Sequence, residues 1–143
     1  VVALFGFGGV CYMATARLLI GRLGQPRLVL LGVGLVLVAA CTIGFSPLGW
    51  SALPASLAAG FGFFAFHNVM QATAAQMAPH ARGSAVALFA ASLFLGQSVG
   101  VTLAASLAAR VGAGPVIGLS GVILALLGAW FSGVLRRRQR AGA

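Results

Sequence analysis

The sequence predicts an all-helical membrane protein with five spanning helices, and three observations carry that expectation. With its 21 glycines counted, about three quarters of the 143 residues are apolar, against roughly 45–50% in a soluble domain. Charged residues make up 6%, too few to cover a soluble surface, where about 25% is usual. All five prolines (Pro26, Pro47, Pro54, Pro79 and Pro115) fall at the edges of apolar runs, where the fixed φ and missing N–H of proline are tolerated. The same composition excludes a soluble globular domain and a disordered segment.

The first uncharged run, 1–16, is about 24 Å long as a helix, short of the ~30 Å hydrocarbon core. It therefore extends to about residue 20, with Arg17 snorkelling to the interface. From Leu28 to Ala81 no arginine occurs, and one helix of that length would be far too long for a single crossing. The turn-rich string Ser46-Pro47-Leu48-Gly49-Trp50-Ser51 divides it into helices 27–46 and 53–77. A fourth helix follows over 83–109 and a fifth over 114–135, with a basic tail over 136–143.

The net charge of +9 comes from arginine alone, with no Asp or Glu. These arginines sit between apolar runs rather than on one basic face, which argues against a nucleic-acid partner. With the N-terminus outside, the inner segments hold Arg17, Arg22, Arg27, Arg82, Arg136, Arg137, Arg138 and Arg140, and the outer ones only Arg110. That asymmetry predicts a cytoplasmic C-terminus. Trp50 and Trp130 then mark opposite interfaces. The chain starts Val1-Val2 without an initiator Met or a basic leader, so a fragment of a longer polypeptide, lacking upstream helices, is expected. Arg22-Leu23-Gly24-Gln25-Pro26 is echoed by Arg110-Val111-Gly112-Ala113-Gly114-Pro115. The two strings fall on opposite sides of the membrane, as matching loops of an inverted repeat do.

Polar residues at membrane depth are the candidate site residues. His67 and Gln71 share one face of the third helix, with Phe64 and Phe63 on or beside it, and Gln97 lies in the fourth. Each lines a cavity or makes an interhelical hydrogen bond. His67 is the only group that could titrate within the bilayer. Gly96-xxx-Gly100 is a small-residue seam suited to helix packing. Cys11 and Cys41 have neither metal nor redox spacing. No paired carboxylate, metal-binding cluster or nucleophile motif is present, so neither an enzyme nor a cofactor or metal site is expected.

Two stretches resemble the major facilitator superfamily. In Arg17-Leu18-Leu19-Ile20-Gly21-Arg22-Leu23-Gly24-Gln25-Pro26-Arg27, Leu19, Arg22 and Gly24 match its signature G-x-L-a-D-R-x-G-R-R. Gly21 stands in place of the Asp and Arg17 in place of the first Gly, as suits the degenerate copy between helices eight and nine. Ala78-Pro79-His80-Ala81-Arg82-Gly83-Ser84-Ala85 followed by Leu95-Gly96-Gln97-Ser98-Val99-Gly100 is similar to the family's connection from helix ten to helix eleven. The resemblance covers nearly the whole chain and implies helices eight to twelve of twelve, part of a C-terminal six-helix bundle.

The resemblance further implies a bacterial inner-membrane permease of the drug- or sugar-efflux type. Its expected partners are a small-molecule substrate, protons, the lipid bilayer and the missing N-terminal half. Arg22 and Gly24, with Arg82 and Gly83, are the implied gating-loop residues. Gly21 in place of Asp leaves the family's ion pair without its acid. A stand-alone oligomeric channel or scaffold, and an inactive transporter remnant, are the alternatives.

Overall fold

A computed structural model describes residues 2–141. Among them the structure is all-helical: α1 Val2–Phe45, a short 3₁₀ turn Gly49–Ser51, α2 Ala52–Met77, α3 Arg82–Val111 and α4 Ala113–Ala141. Each of the four helices is long and apolar enough to cross a membrane, as an integral membrane protein requires.

The sequence suggested five separate helices with a connection over 21–26; the structure has four, because that connection shrinks to one residue. Helical geometry runs on both sides of Gly24, which alone departs from it, at φ 71° and ψ 163°. That region of backbone space is essentially reserved for glycine. Pro26 then falls in the first turn of the second arm, where no hydrogen bond needs its missing N–H.

The break folds α1 back on itself. The backbone of Phe5 abuts Gly60 of α2, and Gly32 abuts Gly62, two residues further along. In a straight helix residues 5 and 32 would be about 40 Å apart. Both arms of α1 thus pack on one stretch of α2. The approach is close because no Cβ intervenes: one on Gly8 would strike the Leu57 carbonyl, and one on Gly62 the Gly32 carbonyl. Small residues serve this purpose in membranes, where apolar surface alone gives helices no reason to associate.

The core lies between the two arms of α1, α2 and α4. Tyr12, Leu28, Val29, Val33, Ala65, Phe66, Val69 and Leu135 form one buried cluster. Most hydroxyls turn back on their own helix, as Thr73 does to the Val69 carbonyl at 2.7 Å and Ser98 to the Phe94 carbonyl at 2.9 Å. Such bonds satisfy a polar group without water. Between distant parts of the chain, buried Ser132 Oγ of α4 donates to the Pro26 carbonyl at 2.8 Å.

α4 runs through the segment expected as a tail and stays helical to Ala141. Its cationic last turn, with Arg138 and Arg140, complements the negative end of the helix dipole. α3 is the exception in packing, since none of its residues is buried.

Gly24 and Gly112 are the two described residues with positive φ. Their conformations nearly coincide, φ 71° and ψ 163° at Gly24 against φ 89° and ψ 158° at Gly112. They sit at opposite ends of the bundle. Pro26, just past the first break, bonds to Ser132 near the far end of α4. Gly114, just past the second, abuts Gly44 at the far end of α1.

Candidate functional site

An apolar cavity of about 330 Å³ lies between α2, α3 and α4. Phe63, Phe66, His67 and Met70 line it from α2, Leu93 from α3, and Leu124, Leu127, Trp130 and Phe131 from α4. It opens because α3 stands away from the other three helices. A cavity of 150 Å³ already admits benzene, so this one has room for a larger flat solute.

His67 is the one titratable side chain among the residues that line it. Its ring stacks on Phe63 with centroids 5.5 Å apart and planes at 14°. Phe89 of α3 flanks it at 5.5 Å, tilted by 47°. The imidazole is thus held between aromatic rings from two helices. Its Nδ1 is buried and has no hydrogen-bond partner, a condition that costs about 1–3 kcal/mol. With the proton on Nε2, Nδ1 is an acceptor that meets no donor among the described residues. The arrangement offers a solute an apolar slot walled by aromatic rings.

The other candidate residues lie elsewhere. Phe64 turns toward α1, where its ring covers Gly9 and lies 6.3 Å from that of Phe5. Gln71 is half-buried and Gln97 exposed, and neither lines the cavity around His67. Among the loop candidates, Gly24 is the break in α1, while Arg22, Arg82 and Gly83 are exposed. A Cβ on Gly96 or on Gly100 would meet nothing within 4 Å, so their seam faces away from every described helix.

Phe66, Met70, Phe89 and Phe131 were not singled out from the sequence, and Trp130 only as an interfacial residue, although part of the signal was there. Phe63, Phe66, His67 and Met70 follow i, i+3, i+4, i+7 spacing, and Leu124, Leu127 and Phe131 follow i, i+3, i+7. Each set is one helix face. Nothing in the sequence says that these two faces meet. No group of three or more potential metal ligands occurs among the described residues. The chain matches no family model, no curated protein and no solved structure.

Proposed function

We propose that this chain forms most of the C-terminal bundle of a secondary transporter of the major facilitator type, which moves a small solute across the bacterial inner membrane by alternating access. The observation that carries the reading is the pair of matched helix breaks at Gly24 and Gly112, with like sequence, like backbone conformation and opposite positions in the bundle. Inverted-topology repeats produce such pairs, and transporters of this kind are built from them. In this reading the two arms of α1 cross the membrane separately, which gives five crossings. The arginine-rich end, with the C-terminus, faces the cytoplasm.

The repeat also accounts for α3. The shift that carries residue 24 to 112 carries Gly8 to Gly96. Gly8 is packed against α2, whereas Gly96 faces open space. A further helix, related to α2 as α3 is to the first arm of α1, fills that place in the complete transporter. His67 and its cavity lie beside it and receive part of the solute. Proton coupling rests on family analogy, with the carboxylate supplied by the N-terminal half.

The test begins with the native polypeptide. An antibody against Arg136–Arg140 should detect a band of more than twice 14.4 kDa in source membranes. In that polypeptide, His67→Ala should impair solute-driven dissipation of a pH gradient in vesicles at unchanged expression. A band at 14.4 kDa would replace the reading with a small oligomeric channel or scaffold. The open seam at Gly96 and Gly100 favours that second reading, because it would join subunits.

A further inference from the structure

At the Gly24 end a cavity of about 360 Å³ opens between α1 and α4, and Gly24, Arg27, Arg136, Gln139 and Arg140 all line it. Its geometry follows from a few contacts. Ser132, Arg136, Gln139 and Arg140 follow i, i+4, i+7, i+8 spacing and share one face of α4. Ser132 fixes that face to the Pro26 carbonyl, and buried Leu135 closes the seam between them. The last turns of α4 are thereby held beside the break, and Arg27 meets two arginines from another helix.

This convergence is unfavourable as it stands. Arg136 and Arg140 are like charges four residues apart on a helix, which repel. Arg27 sits in the first turn after the Gly24 break, the end of a helix whose dipole disfavours cations. The chain has no Asp or Glu to compensate. A bound anion would relieve both conflicts, and the start of the second arm of α1 would add its own attraction for that anion.

We propose that this cavity binds the phosphate headgroup of an anionic membrane phospholipid. The ligand is a lipid rather than free phosphate because of depth. Trp130 is largely exposed on α4, as a residue of the interfacial belt is. Arg136 lies six residues, about 9 Å, further along the same helix, at headgroup level. Bidentate guanidinium contacts suit phosphate oxygens. The lipid clamps α1 to α4 and so steadies the arginine-rich end.

The test uses the 143-residue chain in phosphatidylcholine vesicles doped with phosphatidylglycerol carrying a photoreactive group on its glycerol headgroup. Crosslinks should map to Leu23–Arg27 and Arg136–Arg140, which requires no variant to fold. Native mass spectrometry should show phosphatidylglycerol retained over phosphatidylcholine. Combined Arg27→Gln, Arg136→Gln and Arg140→Gln should weaken retention about a hundredfold, whereas Arg110→Gln at the opposite end should leave it unchanged. Equal loss in the Arg110→Gln variant, or crosslinks spread evenly along the helices, would overturn the proposal. Displacement of the lipid by inorganic phosphate at equal concentration would overturn it in favour of a free-anion site.

Discussion

Replacing Gly24 by alanine isolates the energetic role of the break in α1. A Cβ there would meet only Pro26 Cδ, at 3.9 Å, so no clash accompanies the change. The cost is backbone strain, because φ 71° with ψ 163° excludes L side chains and holding one there takes about 1–3 kcal/mol. Gly24→Ala should therefore lower the thermal unfolding midpoint in detergent by several degrees. Gly21→Ala, three residues earlier, is the internal control. Gly21 is helical, and a Cβ there meets nothing within 4 Å. That substitution should raise stability by up to about 1 kcal/mol, the helix-propensity difference. The same change thus has opposite signs at two nearby positions. The native cysteines report the geometry, since Cys11 and Cys41 lie on different arms of α1. Spin labels on them should be about 20 Å apart or less for arms packed on a common helix. An unbroken helix would separate them by about 45 Å. A long distance in the unsubstituted chain would refute the folded-back α1. Equal effects of Gly24→Ala and Gly21→Ala on the midpoint would refute the strain argument.

The remaining predictions are read by comparable assays. Gly8→Ala drives a Cβ into the backbone of α2 and should destabilise the chain by about 1–3 kcal/mol; Gly96→Ala, at a helical position with open space around its Cβ, should raise stability by up to about 1 kcal/mol as Gly21→Ala does, as calorimetry in detergent would show. Ser132→Ala removes the 2.8 Å bond to Pro26 and should cost about 0.6–1.7 kcal/mol, the range for hydrogen bonds between membrane helices, with faster hydrogen exchange around Gln25–Leu28. His67→Leu removes the unpartnered Nδ1 and should raise thermal stability by about 1–3 kcal/mol, the cost of an unsatisfied buried polar group, as thermal unfolding in detergent would show. A fall in stability would mean that Nδ1 has a partner in the folded protein.

Much of the local structure was legible in the chain itself. α2 was expected over 53–77 and runs Ala52–Met77; α3 was expected over 83–109 and runs Arg82–Val111. Proline, glycine and a lone tryptophan mark the Ser46–Ser51 corner, and helix cannot pass through such a string unbroken. The connection was expected over 21–26, around Arg22, Gly24 and Pro26, and is narrower in the structure. Arginine is a good helix former, and only Gly24 needed to leave the helix. The basic segment expected beyond residue 135 continues α4 to Ala141, since Arg136, Arg137, Arg138 and Arg140 suit a helix C-terminus as well as they suit water.

The candidate site divides along the same line. His67 was visible because a titratable group in an apolar helix is costly and stands out. That Phe64 turns to α1 while Phe63 stacks on His67 depends on which neighbour each face meets. The open position of Gly96 and Gly100 could not be told from a packed one, because the small-xxx-small pattern is the same in both.

From the amino-acid order alone follow a helical chain suited to a membrane, the approximate helix ends, the asymmetry of charge and a histidine within an apolar helix. Those properties follow from composition and local propensity, which each segment carries wherever it lies. Tertiary structure alone decided that α1 doubles back, that Ser132 reaches Pro26, that three arginines gather at one cavity and that α3 is left without a packed face. These depend on close approaches between residues such as Gly32 and Gly62, and contact over a few ångströms is set by shape rather than by hydropathy.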